Sequence, residues 1–183
     1  MSLELYFLRS TEQKIVTDML YYSQRVDKTD KKLQDFEELK IYDEFYGFTN
    51  KDLGLYAMKN SVVCGAVWSR KLNSDHKAQA YIDDETPVIN ITVKPEFRKQ
   101  GIASTMIEQF LKEASVLYSA LCINVLDDKK SIDFFKKFGF EVVKNLHVKS
   151  FVDGKDMVVM KKTLQKQQPT YPTDEYASCK WLD

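Results

Sequence analysis

The clearest pattern in the chain is an apolar, β-branched run, then a polar break, then apolar positions at helical spacing. The run Pro87–Val93 predicts a largely buried strand, because β-branched residues fill a pleated surface well and no glycine interrupts them. Lys94–Phe97 breaks the strand, and the chain enters a helix after Arg98–Gly101. The helical apolar positions are Ala103, Met106, Ile107, Phe110, Leu111, Ala114 and Leu117. This strand and helix form the unit around which we place the other elements.

Shorter apolar runs on either side predict the rest of a sheet. They are Leu3–Leu8, Leu53–Lys59, Val62–Lys71, Tyr118–Leu126, Phe140–Lys144 and Met157–Lys161. Only Asn60-Ser61 separates the second run from the third, which is typical of a tight hairpin. Ala78–Ile82 is a candidate extension of this meander. The last two runs are predicted to pair through a turn around Asp153-Gly154.

Three further segments have helical spacing. Ser10 or Thr11 can cap a helix that runs to Arg25, whose inward positions would be Ile15, Met19 and Tyr22. Lys31–Tyr46 predicts a second helix with a charged, solvated side. Lys129–Phe138 predicts a third helix near the end of the sheet.

Composition limits the possible classes of protein. A length of 183 residues with 44% hydrophobic residues suits a single folded domain. The 27 basic and 27 acidic residues balance, so charge gives no basis for binding nucleic acid or a membrane surface. The three cysteines and two histidines have no metal-ligand spacing, and the first residues lack the order of a signal peptide. We therefore expect a cytoplasmic protein with reduced thiols and no metal.

The loop between the central strand and its helix is the best candidate for a ligand site. Gly101 has no Cβ, so the backbone can turn tightly and a ligand can come close. The first amides of a helix lack intrahelical partners and lie at the positive end of its dipole, which suits a phosphate or diphosphate. Arg98 and Lys99 add positive charge beside them. The alternative is an ordinary connection with a turn glycine.

These residues resemble the acyl-CoA binding motif of the GNAT family of N-acetyltransferases. Arg98, Gly101 and Ala103 occupy its Arg/Gln-x-x-Gly-x-Gly/Ala positions, and Val93 and Pro95 match the Val-x-Pro strand end that precedes it. The resemblance implies an α/β (α+β) fold, with a mixed, mostly antiparallel twisted sheet, helices on both faces and a V-shaped opening. It also implies acetyl-CoA as co-substrate, held by Ile91, Val93, Arg98, Lys99, Gln100, Gly101, Ile102, Ala103 and Ser104.

A second stretch, Asp128 to Phe140, resembles another element of the same family, Asn-x-x-Ala-x-x-Phe-Tyr-x-x-x-Gly-Phe. Phe134, Gly139 and Phe140 match it, and Ser131 is a small replacement for Ala. By this resemblance Asp128, Ser131, Phe134 and Phe135 are further acetyl-CoA contacts. Two positions depart from the pattern: Asp128 replaces the usual Asn, and Phe135 replaces the Tyr that commonly protonates the leaving thiolate. Phenylalanine has no proton to give, so another hydroxyl, such as Tyr42, Tyr46 or Tyr81, or a water would have to serve.

The resemblance also suggests how the reaction would proceed. The thioester would lie between the central strand and its neighbour, with the backbone N–H at about Val93 polarising its carbonyl. Pro87 and Val88 stand where many relatives carry a Glu as general base, and neither has a carboxylate. Glu85 is the nearest carboxylate of the same strand parity, so it is the candidate base, directly or through a water.

The sequence therefore predicts an N-acetyltransferase domain over residues 1–163 that moves an acetyl group from acetyl-CoA to a primary amine by direct attack. The alternative is a non-catalytic acyl-CoA binding or sensing module. The resemblance places Tyr42, Phe45 and Tyr46 near the acceptor wall, although aromatics at this spacing are more often core. Residues 164–183 are expected to pack on the domain or on a second subunit, as in a homodimer.

Overall fold

The computed structural model describes residues 2–49 and 51–166. Its seven strands are β1 Glu4–Phe7, β2 Leu53–Lys59, β3 Val62–Arg70, β4 Val88–Val93, β5 Ala120–Leu126, β6 Glu141–Lys149 and β7 Asp156–Thr163. They form one sheet in the order β1-β2-β3-β4-β5-β7-β6. Every neighbouring pair is antiparallel except β4 and β5, which are parallel. The predicted mixed, mostly antiparallel sheet is confirmed.

Helices cover both faces of this sheet. Within the described residues the α-helices are α1 Gln13–Ser23, α2 Ile102–Leu117 and α3 Lys129–Lys136. On one face α2 and α3 pack against a core that includes Met106, Phe110 and Phe135. On the other face α1 and the segment after it enclose a second core that includes Trp68 and Leu20. None of these helices is long and apolar enough to cross a membrane.

The predicted hairpin between β2 and β3 is confirmed. Asn60 and Ser61 both have positive φ values, 54° and 62°, which suit a two-residue turn whose twist matches the strands. The predicted strand Ala78–Ile82 is wrong. The chain turns there instead, and the Tyr81 amide donates to the Ala78 carbonyl at 3.0 Å.

The structure confirms a helix at the predicted position after Ser10, but this helix buries a different face from the predicted one. α1 begins at Gln13 after a 3₁₀ turn over Ser10–Glu12, and neither Ser10 nor Thr11 acts as its cap. The buried positions are Val16, Met19 and Leu20, whereas Ile15 and Tyr22 are only half-buried. The buried face of α1 is thus rotated from the predicted one, and Tyr22 lies beside the core and lines a surface cavity.

The predicted helix Lys31–Tyr46 is wrong, since the segment forms 3₁₀ turns over Leu33–Asp35 and Glu37–Tyr42. Its buried residues Phe36, Leu39 and Tyr42 are spaced by three, which fits a 3₁₀ turn better than an α-helix. Its carbonyls are also taken by β3: Trp68 Nε1 donates to Tyr42 O at 2.9 Å, and Arg70 Nη1 donates to Ile41 O at 3.1 Å. These tertiary donors replace the amides of a continuing helix.

The aromatic residues of this segment divide between the core and the surface. Tyr42 and Tyr46 are 1% exposed, so their interpretation as core residues is confirmed. Phe45 is exposed and makes an edge-to-face contact with Phe48. The prediction for the C-terminal tail falls mostly on residues 167–183, which lie outside the described residues.

Candidate active site

The parallel strands β4 and β5 meet at one end and separate at the other. Their ladder has a single matched pair, Val88 with Cys122, supported by the Cys122 amide donating to Pro87 O at 3.0 Å. Beyond this pair both strands continue to their C-terminal ends, Val93 and Leu126, without pairing to each other. The result is a gap that opens towards the C-terminal ends of both strands, where the sequence predicted one.

The edge of β4 that faces this gap carries backbone groups that have no strand partner among the described residues. The Lys94 amide donates to Cys64 O on β3 at 2.8 Å, so the even-numbered residues of β4 direct their backbone groups towards β3. Because strand residues alternate, Ile91 and Val93 direct theirs towards the gap. An N–H of this kind is the donor that a polarised thioester carbonyl requires.

The loop after β4 presents a row of unpaired amides. Lys99 and Gly101 have left-handed φ values of 61° and 78°, which fold the chain back before α2 begins at Ile102. Within the described residues, none of the six amides from Lys99 to Ser104 donates to a protein acceptor. A Cβ built on Gly101 would meet no atom within 4 Å, so the space beside it is open to a ligand. The amides lie at the N-terminus of a 16-residue helix, whose dipole favours an anion.

Two side chains hold this loop against the sheet. Arg98 Nε donates to Val93 O at 2.9 Å, so part of the guanidinium ties the loop to the end of β4. Lys59 Nζ, at the end of β2, donates to Gln100 Oε1 at 2.6 Å. Arg98 therefore has a structural contact that the motif did not predict. The Lys59 ammonium lies beside the same loop, and its place on the distant strand β2 gave no sequence signal.

The second predicted element begins α3. Asp128 Oδ1 accepts from the Ser131 amide at 2.8 Å and Oδ2 accepts from Ser131 Oγ at 3.0 Å, so Asp128 caps the helix. The Ser131 amide is the largest influence that lowers the pKa of the Asp128 carboxyl. Phe135 is 7% exposed and packs edge-to-face against Phe134 and Phe140, with ring centroids 5.1 and 5.6 Å apart. Phe135, at the motif position where the resembling family commonly has Tyr, is therefore a packed ring without a hydroxyl.

Three tyrosine hydroxyls could replace the proton donor that Phe135 lacks, but their surroundings make each of them a poor acid. Tyr42 Oη and Tyr46 Oη are buried without a hydrogen-bond partner among the described residues. Burial raises the pKa of Tyr42 to about 12 and raises that of Tyr46 further. Tyr81 Oη donates to Asp84 at 2.7 Å, which together with burial raises its pKa.

The structure does not bring Glu85 near the open end of the gap. Its side chain is 80% exposed and pairs with Lys71 Nζ at 2.7 Å. Glu85 precedes β4, and the rise from Val88 to Val93 alone is about 17 Å at the usual strand spacing. A proton released near Val93 would have to cross this distance to reach the carboxylate.

A cavity that the sequence did not predict lies beside the end of β4. It has a volume of about 320 Å³ and is lined by Thr17, Asp18, Tyr21, Tyr22, Leu33 and Lys94. Lys94 directly follows Val93, so this cavity lies next to the open end of the gap on the α1 face. The adjacent tyrosines of α1 were the available signal, but the predicted inward face placed Tyr22 in the core.

The remaining reactive side chains lie outside this arrangement. Cys122 is fully buried, and desolvation raises the pKa of its thiol to about 12, so it is not a ready nucleophile. Cys64 is likewise buried, with a raised pKa. His76 is exposed, and its Nδ1 accepts from the Asn73 amide. Across the described part of the chain, no group of three or more metal-ligating side chains is present.

Comparison with known proteins supports this arrangement. The family model described as the acetyltransferase (GNAT) domain matches residues 53–142, from β2 through the start of β6. A curated relative, the probable N-acetyltransferase san of Drosophila melanogaster, is 28% identical over 123 residues, which cover 64% of this chain and 63% of that protein. The match therefore spans less than two thirds of the fly protein.

Solved structures share the fold at low sequence identity. One is a putative acetyltransferase of Salmonella typhimurium with acetyl-CoA, which has a TM-score of 0.65, 16% identity, and coverage of 94% of this chain and 99% of that one. Another is a phosphinothricin acetyltransferase of Sinorhizobium meliloti in complex with acetyl-CoA, with a TM-score of 0.63, 16% identity, and coverage of 96% and 95%. At these identities the likeness is one of fold.

Proposed function

The chain belongs to the GNAT family of acetyltransferases, and from this premise we propose that it transfers the acetyl group of acetyl-CoA to a primary amine. One observation carries the proposal: the unpaired amides of residues 99–104 follow the open end of the gap between β4 and β5. The amides would bind the diphosphate of acetyl-CoA, with Lys59 and Lys99 supplying charge. The pantetheine arm would then enter the gap along β4.

The chemistry would proceed by direct attack in a ternary complex. The N–H groups of Ile91 and Val93 face the gap, and one of them would stabilise the oxyanion that forms as the amine adds to the thioester carbonyl. The C–N bond forms, the C–S bond breaks, and coenzyme A leaves as a thiolate. Such a thiolate, with a pKa of about 8.5, leaves without a protein acid, although general acid help is typically worth about 10²–10⁴-fold in rate.

The amine must also lose a proton. Glu85 is the proposed base from sequence, but its distance from Val93 means that it would act only through a chain of waters. Because Glu85 pairs with Lys71 and lies far from Val93, we expect the amine proton to pass to solvent water at the open gap. Glu85→Gln should therefore leave turnover within about twofold, whereas deletion of a true general base typically costs about 10²-fold or more. A loss of that larger size at pH 7, which shrinks as the pH rises, would instead establish Glu85 as the base.

A second candidate function is a non-catalytic acyl-CoA binding or sensing module. Phe135 at the position of the usual proton donor, and Pro87 and Val88 at the position of the usual carboxylate, favour it. Both functions predict that coenzyme A binds. They differ in turnover with an amine.

Calorimetry and a thiol-release assay separate these functions. Coenzyme A should bind with micromolar to low-millimolar affinity, and acetyl-CoA with a panel of primary amines should release free thiol faster than acetyl-CoA alone. Binding without amine-dependent release would favour the sensing module. No binding of coenzyme A would refute both. A cytoplasmic location and a homodimer remain proposals, which fractionation and sedimentation would test.

A further inference from the structure

Lys94 lies where the end of β4 meets the cavity on the α1 face. Among the described residues that line this cavity of about 320 Å³, Lys94 is the one that carries an amine. It directly follows Val93, whose N–H faces the gap in which we place the thioester. Consecutive Cα atoms are about 3.8 Å apart, so the Lys94 side chain starts beside the proposed position of the thioester.

The backbone of Lys94 is fixed on both sides. Its amide donates to Cys64 O on β3 at 2.8 Å, and its carbonyl accepts from the Phe97 amide at 2.9 Å. Pro95 follows and restricts the residue before it to an extended backbone, and Lys94 has φ −54° and ψ 144°. The side chain is half-buried and has a flexible four-carbon stem. A fixed backbone therefore carries a mobile amine into the cavity.

No carboxylate holds the Lys94 amine in place. Within the described residues, none of the ion pairs includes Lys94. Asp18 is the one carboxylate in the lining of the cavity, and it pairs with Lys14 Nζ at 3.0 Å. By contrast, Lys59 Nζ is held against the loop before α2 by its hydrogen bond to Gln100 at 2.6 Å. The Lys94 amine is thus available to a reactive group that enters the cavity from the gap.

We propose that Lys94 is a site of self-modification, at which its side-chain amine takes the acetyl group of an acetyl-CoA bound to the same molecule. This inference rests on the function proposed above. The ammonium group first loses a proton to water, and the nitrogen then adds to the carbonyl carbon of the thioester. The C–N bond forms, the C–S bond breaks, and coenzyme A leaves as a thiolate that takes up a proton from water. The products are Nε-acetyl-lysine at position 94 and one equivalent of coenzyme A.

Acetylation of Lys94 would change the cavity as well as the residue. It removes the one positive charge among the lining side chains and fills part of the volume of about 320 Å³. An acceptor amine and Lys94 would compete for the same thioester, so an acceptor at saturating concentration should protect Lys94. The modification should therefore accumulate when acetyl-CoA is bound and no acceptor is present.

The experiment follows each lysine by peptide mass spectrometry after incubation of the full chain with isotopically labelled acetyl-CoA. Lys32 and Lys130 are internal controls, because both are exposed and report direct chemical acetylation by acetyl-CoA in solution. We expect Lys94 to be acetylated at least about tenfold faster than either control, because the bound thioester lies next to it. The half-time should not change with protein concentration, since the transfer takes place within one molecule. Equal rates at Lys94 and the controls, or a half-time that shortens in proportion to protein concentration, would overturn the inference.

Variants connect the modification to the proposed site. Gly101→Val, which fills the open space beside the loop before α2, should remove the preference for Lys94 over the exposed controls. Gly154→Val, at a second open position with positive φ, should retain that preference. Lys94→Arg should abolish the coenzyme A released without added amine, apart from the slow background at exposed lysines. A preference for Lys94 that survives in Gly101→Val would contradict transfer from the proposed site.

Calorimetry with coenzyme A and the thiol-release assay separate this inference from the proposed function. Coenzyme A binding with amine-dependent thiol release, but without acetylation of Lys94, would overturn the self-modification alone. Coenzyme A binding without transfer to any amine would overturn the self-modification and favour the sensing module. A protein that binds no coenzyme A would refute the proposed function, and the self-modification would fall with it.

Discussion

Single residues decide the shape of the loop before α2 and the backbone groups that it leaves unpaired. Gly101 adopts a φ of 78° with open space where a side chain would be, and the neighbouring amides remain unpaired within the described chain. Arg98 donates to Val93 O, so the motif also fixes the end of the strand that borders the gap. The motif therefore has a structural role beside the binding role that we propose for it.

Gly101→Val should weaken coenzyme A binding at least about tenfold, because a β-branched residue is strained at positive φ and fills the space that the diphosphate needs. Gly154→Val is the matched control, since Gly154 also has a positive φ, 67°, with no neighbour within 4 Å, but lies in the β6–β7 turn. Calorimetry with coenzyme A should separate the two. Equal affinities in both variants would contradict a ligand role for the loop.

Phe135→Tyr tests the missing proton donor. We expect kcat to rise about tenfold or more, with little change in coenzyme A affinity, because general acid catalysis contributes 10²–10⁴-fold where it operates. Phe134→Tyr adds the same hydroxyl to the adjacent ring and serves as control. Steady-state rates across pH would measure the effect. If kcat is the same in Phe135→Tyr and the wild type, the thiolate leaves without help from this position.

At the scale of elements, periodicity predicted α2 well and the Lys31–Tyr46 segment badly. α2 presents a continuous apolar face to one side of the sheet, so its local pattern and its tertiary surroundings agree. In the second segment, Trp68 and Arg70 capture carbonyls that a helix would have used. Those donors lie on a strand that is distant in sequence, and no local pattern contains them.

Phe110→Ala should lower the free energy of unfolding by about 3–5 kcal/mol, because it empties a fully buried position between α2 and the sheet. Leu117→Ala on the same helix removes a side chain that is 51% exposed and should cost less than about 1 kcal/mol. Urea denaturation of both variants would measure the difference. Similar losses in both would mean that α2 is not anchored through this face.

At the scale of the whole molecule, one parallel pair in an otherwise antiparallel sheet creates the site. β4 and β5 share a matched position only at Val88 and Cys122, and β7 continues the sheet on the far side of β5. The two halves are thus free to separate at one end, and the Arg25–Asp153 ion pair joins the residue after α1 to the turn between β6 and β7.

The stability of this connection should depend on pH. Burial by itself raises the pKa of Asp153, but hydrogen bonds from the side chains of Arg25 and Ser150 and from the Lys155 amide lower it to about 2. A carboxyl whose pKa is depressed in the folded state stabilises that state above its unfolded value of about 3.9, and this contribution is lost as the pH falls towards 2.

Asp153→Asn should therefore lower the free energy of unfolding by about 1–3 kcal/mol at pH 7 and by much less near pH 2. Asp156→Asn, which alters the exposed pair with Lys149, should have little effect at either pH. Thermal unfolding at both pH values would measure this. A deficit in Asp153→Asn that persists at pH 2 would mean that the residue acts through packing rather than charge.

The sequence by itself determined the seven strands in outline, the hairpin at Asn60-Ser61, the amphipathic α2 and the loop that turns at Gly101. Each depends on neighbours within a few positions, so residue type and spacing are sufficient. Only the tertiary structure decided the 3₁₀ form of the Lys31–Tyr46 segment and the ion pair between Arg25 and Asp153. These features join residues tens to more than a hundred positions apart, and their free energies come from contacts that exist only after the sheet has formed.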